Sequence, residues 1–250
     1  MELNHKTHKV SDELIKSVTS NTSTDKKMSR NKLGIQVVIN PATNELKYIV
    51  PVEYQGSNFG AFLSSPEKLF LFQANEFSKL SEEIKKTFPM QITISLEQNS
   101  DSKPFMSLVN DSVYNEYIGL KISSIALLMM SVESFINTLI PESFEAENSR
   151  KAIVGKLEIE RHWKLKDKIK EVVPRVKILE DMEEYQNLYS KVIEISLLRN
   201  EFVHLKTKSN EKGIDPYLKY FERIVSLNLE TAIKDVERLF DYIIEKEDVC

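Results

Sequence analysis

One cysteine stands among 250 residues, and it is the last, Cys250. A single thiol excludes an intrachain disulfide framework and a thiolate metal site, and it suits a reducing cytoplasm. Residues 1–32 lack the apolar core of a secretory signal, so a cytoplasmic location is expected. A clean membrane-length run is missing too. The most apolar stretch, 118–140, is broken by Lys121, Ser123, Ser124, Ser131, Glu133, Ser134 and Asn137, which predicts a buried helix and no membrane partner. There is no excess of positive charge: the net charge is −4, so any contact with nucleic acid must use a local patch. Gly56 and Gly60 lack the spacing of a phosphate-binding or dinucleotide loop. No Asp, Glu and His cluster suggests a metal, and no cofactor is expected. No internal repeat is visible.

What remains is an ordinary soluble composition, 29% charged and 41% hydrophobic, with a change of pattern along the chain. Residues 1–32 are polar and read as a flexible tail. In it, His5 and His8 lack a further ligand cluster. Residues 33–110 read as a small α+β region. Two strands, 34–39 and 47–54, flank an Asn-Pro-Ala-Thr-Asn turn, with Pro51 marking an edge or a bulge. A short strand at 69–72, an amphipathic helix at 76–88 and a strand at 91–96 follow.

From about residue 111 to the end the chain is helical. A first long helix, 113–140, is apolar on most sides and therefore central, and Pro141 stops it. A second helical stretch is expected over 145–172, ending at Pro174. Its later part is basic, with Arg161, Lys164, Lys166, Lys168 and Lys170 around Trp163, followed by Arg175 and Lys177. Basic residues beside an aromatic can track a phosphate backbone and stack a base; a solvated face with the tryptophan turned inward fits as well. A last helix opens at Asp215-Pro216 and carries a near-heptad apolar stripe over about 30 residues, enough to pack a bundle or a second subunit.

Between these lies a helix from about Met182. Its apolar residues recur at Tyr185, Leu188, Val192 and Ile195, and the next position on the stripe is Arg199. A guanidinium there is costly unless it is paired or faces a polar cavity. Asn200 and His204 follow. At about 100° per residue, Arg199 and His204 stand about 140° apart and roughly 7.5 Å along the axis, so both can reach one anion beside the helix. A cation solvated at a helix C-terminus is the simpler alternative. The loop beyond the motif holds Lys206, Lys208 and Lys212.

Arg199-Asn200-x-x-x-His204, late in a long helix of an all-helical half, resembles the R-N-x-x-x-H signature of the HEPN superfamily, which occurs in CRISPR-associated, toxin and abortive-infection ribonucleases. Glu133-Ser-Phe-Ile-Asn137 is similar to an early-helix segment of several HEPN families, where a polar residue can lie near the site. An outward-facing Glu133 is the alternative. The resemblance, over about 111–247, implies a mainly α fold: a HEPN-like bundle of four main helices in 111–250, preceded by the small α+β region. It implies a metal-independent endoribonuclease acting by 2′-hydroxyl transesterification, as a homodimer, in a toxin or phage-defence setting. An antitoxin or defence-system partner would accompany it.

The implied roles follow the residue types. His204 transfers protons. Arg199 stabilises phosphate charge. Asn200 holds a ring nitrogen or the phosphate, Glu133 and Asn137 support the site, and Lys164, Lys168, Lys206 and Lys208 contact RNA. Where some of these toxins carry a modified tyrosine two positions after the histidine, this chain has Lys206. Many HEPN domains are non-catalytic, so an interaction or scaffold module, or an RNA-binding module, is the alternative.

Overall fold

The structure, a computed structural model, describes residues 36–40, 45–97, 104–149, 151–203, 216–246 and 248. The expected tail at 1–32 lies outside them. The chain divides into two compact units at Ser65 and Pro66. In the first, β1 (Gln36–Asn40), β2 (Glu45–Tyr54) and β3 (Ser57–Phe62) form an antiparallel sheet in that order. The hairpin expected from 34 to 54 is present. The third strand was not expected, because its glycines read as loop. Gln55 and Gly56 both hold positive φ, 50° and 76°, as a two-residue turn matched to strand twist requires. Pro51 sits in the middle strand, opposite Gly60. The last described β1 pair is Gln36 with Ile49, so at Pro51 only β3 is paired among the described residues.

The second unit begins with α1 (Pro66–Thr87). Its start corrects two expectations. Residues 69–72 are helical rather than a strand, because Leu71, Ala74, Ser78 and Ser81 are buried at three- and four-residue spacing. Proline is favoured in the first helical turn, as at Pro66. The helix also begins at Pro66, before the expected residue 76, and the division between the two units falls at 65/66. After a 3₁₀ turn (Phe88–Met90) come β4 (Ile92–Glu97) and β5 (Pro104–Val109), an antiparallel pair. Ile92, Ile94, Leu96, Met106 and Leu108 of this pair are exposed.

The central helix is α2 (Asp111–Thr138), capped by Asn110, whose side chain accepts from the Ser112 N–H at 2.9 Å. It is long and apolar enough to cross a membrane, and many of its apolar side chains are buried here in the helical core, while Tyr114 and Met130 are exposed. The three fully buried polar residues that interrupt its pattern, Lys121, Ser124 and Ser131, have partners. Ser124 and Ser131 donate to the carbonyls of Ala74 and Glu67 at 2.7 Å each, tying α2 to α1. Lys121 donates to the carbonyls of Val225 and Leu227 at 2.9 and 2.8 Å.

The second helical stretch is broken where a long helix was expected. β6 (Glu145–Glu147) and β7 (Ile153–Gly155) form a short hairpin. Ala146 is buried between two exposed glutamates, a strand alternation too short to register in sequence. Then come α3 (Lys156–His162), α4 (Leu165–Asp167), a π-helical turn (Lys168–Val172) and α5 (Val173–Val176). Pro174 does not end this stretch; it lies in the first turn of α5, where a missing N–H is tolerated. The motif helix is α6 (Met182–Val203). The expected long terminal helix is two, α7 (Pro216–Ser226) and α8 (Leu229–Ile244), because Asn228 caps a new start and Lys121 holds the carbonyls at the break. Tyr117, Leu128, Val132, Ile136, Tyr185, Val192, Val236 and Leu239 are among the residues of one core that joins α2, α6 and α8. The unit is mainly helical, and its strand pairs are antiparallel. Asp215 lies outside the described residues.

Candidate functional site

Asp181 starts α6 by accepting the N–H groups of Glu183 and Glu184 at 3.0 and 2.9 Å. With that start fixed, Tyr185, Val192, Ile195 and Leu198 turn into the core. Arg199 falls at the rim of that face, its side chain 32% exposed. One guanidinium nitrogen, Nη1, donates to Asn200 Oδ1 at 3.0 Å. The other, Nη2, lies 3.6 Å from Glu133 Oε2, a carboxylate 38% exposed near the end of α2. The arginine on the apolar stripe is thus paired, as its position demands. Arg199, Asn200 and Glu133 stand together.

Asn137, one turn beyond Glu133, accepts a hydrogen bond from Lys168 Nζ at 2.9 Å. The same ammonium donates to the Glu160 carbonyl at 2.7 Å. Lys168 was expected on an RNA-contacting surface and is instead fully buried, at 0% exposure. The reason is its place in the π-helical turn, between Leu165 and the buried Ile169, Val172 and Val173. Burial pushes its pKa below the ordinary lysine value, while Glu133 and Glu160 pull it back up. This is the residue that sequence reasoning misassigned. A signal existed: Lys168 is three after Leu165 and four before Val172, on the apolar side of its own turn.

The rest of the basic stretch divides. Arg161, Lys164, Lys166, Lys170 and Arg175 are exposed. Lys177 is buried and pairs with Asp248 at 2.5 Å. Trp163 packs, partly buried, on the cluster of Ile140, Ala146, Ile159, Val172 and Val176. His204, Lys206 and Lys208 lie outside the described residues.

α7 flanks the last turn of α6. Glu201 forms an ion pair with Arg223, and Phe202 stacks on Tyr220 with ring centroids 5.8 Å apart. Burial, with Glu201 beside it, pushes the Tyr220 hydroxyl well above its ordinary pKa, and Arg223 opposes the shift. The chemical content of the site is therefore a planar cation at a rim with a carboxylate and an amide beside it, and, one helical turn from that carboxylate, a second amide that holds a buried cation. Such a group can bind an anion that approaches Arg199 from solvent. No protein-family model, no curated protein and no solved structure matches the chain.

Proposed function

We propose that the chain is a metal-independent endoribonuclease of HEPN type, acting as a homodimer in the cytoplasm in a toxin or phage-defence role. The observation that carries this reading is the setting of Arg199. The motif arginine sits at the rim of a helical core, held by Asn200 and by Glu133 of the central helix, the two neighbours that the resemblance implies.

The chemistry needs little more than these residue types. RNA brings its own nucleophile, the 2′-hydroxyl. A base takes its proton, the 2′-oxygen bonds to phosphorus, and the bond from phosphorus to the 5′-oxygen breaks. An acid protonates that leaving oxygen, leaving a 2′,3′-cyclic phosphate and a 5′-hydroxyl. His204 supplies proton transfer near neutral pH. Arg199 places a charged fork on the phosphate oxygens, with Asn200 beside it. One histidine does not serve readily as base and acid in a single step, which is the reason for a dimer that brings two motifs together. Lys164, Lys206 and Lys208 contact the RNA backbone. An antitoxin or defence-system protein is the expected regulator.

A non-catalytic interaction module is the second reading, favoured by the fact that Arg199 already has a carboxylate partner within the same chain. Incubation of mixed RNAs with the protein in excess chelator, followed by analysis of the product ends, separates the two. Cyclic-phosphate ends made by the wild type and not by His204→Ala support the ribonuclease. Intact RNA at every protein concentration refutes it.

A further inference from the structure

Lys168 is a buried cation for which the chemistry above has no use. Its ammonium reaches two acceptors on different elements, the Asn137 amide on α2 and the Glu160 carbonyl on α3. Glu160 lies in the last turns of α3, where carbonyls lose their helical donors, so the second bond is a cap. The first bond has no such explanation. An amide is a poor reason to bury a charge, since an isolated ammonium is costly to take out of water. Two carboxylates, Glu133 and Glu160, act on Lys168 electrostatically, and Glu133, one turn from Asn137, is also the partner of Arg199. Glu133 thus lies between two cations: Arg199 contacts it at the rim, and Lys168 is held one helical turn away, on Asn137, inside. The other nearby acid, Glu160, has Lys156 at 3.9 Å.

We propose that Lys168 is a positioning residue of the Arg199 site: it keeps Glu133 compensated from within, so that Arg199 can leave that carboxylate for a phosphate. This rests on the ribonuclease reading and deepens it. Without Lys168, Glu133 has only Arg199 to neutralise it, and an incoming phosphate competes with the carboxylate for one guanidinium. With Lys168 in place, Arg199 turns outward at lower cost. The Asn137 amide orients the ammonium toward the Glu133 turn. The π-helical turn from Lys168 to Val172 places the side chain inward, a distortion of a kind found often at functional sites.

The test is a cycle of Lys168→Met, Glu133→Gln and the double variant. Cleavage of a mixed single-stranded RNA and thermal melting are measured on each. Methionine keeps the length and apolar volume, so the core stays filled. Lys168→Met should lower kcat/KM about tenfold, within the range for residues of one network. The double variant should match Glu133→Gln alone, because Lys168 acts through Glu133. A lysine that only packs the interior would lower the rate of the double variant below that of Glu133→Gln. Wild-type cleavage left unchanged in Lys168→Met, or a double variant that loses the sum of both effects, overturns the proposal. If the wild type cleaves no RNA, the ribonuclease reading falls and the melts decide the coupling. Melting temperatures of the two single changes should then fail to add by about 2–4 °C, the shift that roughly 1 kcal/mol of coupling gives in a protein of this size. Additive melts would show that Lys168 and Glu133 are independent.

Discussion

Two buried lysines, Lys121 of the central helix and Lys168 held on it at Asn137, have surroundings that differ in kind. Lys121 lies in the first half of α2. Its acceptors are two main-chain carbonyls, Val225 and Leu227, at the break between α7 and α8, and the Tyr117 ring lies 5.5 Å from its ammonium. Lys168 meets the other end. One of its acceptors is a side-chain amide, one turn from Glu133, which pairs with Arg199, both about one-third exposed. Carbonyls at a helix end need a donor and stay where the fold puts them, so Lys121 is a cap. Rim side chains can exchange partners with a ligand, so the Lys168 end has the makings of a site. A buried cation thus says nothing of function by itself; what its acceptors can do next decides.

The largest effect expected from this contrast belongs to the motif. His204→Ala should lower RNA cleavage by about 10²–10⁴-fold, the usual worth of a proton-transfer residue. Initial rates under chelator would show it, and Lys121→Met should keep the wild-type rate per folded molecule. A loss of rate at both ends alike would break the contrast.

A pH dependence marks the Lys121 end. Burial lowers its pKa from 10.5 to about 8, with Glu82 opposing and Lys85 adding to the shift. Between these values the unfolded chain binds the proton and the folded one releases it, so this group makes stability rise with pH. The burial cost of the charge is fully present below pH 8 and is relieved as pH rises through that value. The stability of the wild type relative to Lys121→Met should therefore increase by about 2 kcal/mol from pH 7 to pH 10. Denaturant melts across that range measure it. A flat difference would mean that the lysine is less desolvated than its contacts imply.

A smaller effect tests the element that carries Lys168. The Tyr185 hydroxyl donates to the Ile169 carbonyl in the π-helical turn at 2.7 Å. Tyr185→Phe should cost about 1 kcal/mol, or about 2–4 °C in melting temperature. The smallest effect belongs to the exposed Lys164. Lys164→Ala should leave the melting temperature unchanged and weaken RNA binding, with the salt slope reduced by about 0.7 per lost phosphate contact on a single strand. An unchanged slope would remove Lys164 from the RNA path.

The long elements were legible in the sequence because they repeat their pattern over several turns. The helices at 111–138 and 182–203 and the hairpin at 36–54 are where periodicity and turn residues place them. So is Arg199, whose position at the end of an apolar stripe called for a partner. What was not legible depends on distant contacts. The strand at 145–147 is three residues long. The break at Leu227 and Asn228 rests on a lysine more than a hundred residues earlier. The burial of Lys168 needs Asn137, which only the folded chain brings near. In sequence Lys168 looked like one of a row of surface lysines, and its neighbours Lys164, Lys166 and Lys170 are exposed.

The central claim is that Arg199 serves an anion and does not merely complete a core. Cleavage of mixed RNA in excess chelator and thermal melting, both measured on wild type, Arg199→Ala and Arg199→Met, test it in one experiment. Loss of an electrostatic donor of this kind costs about 10²–10³-fold in rate. Both variants should lose cleavage to that degree, with melting temperatures within a few degrees of the wild type. A wild type that leaves RNA intact, with Arg199→Met melting at or above the wild-type temperature, would contradict the account.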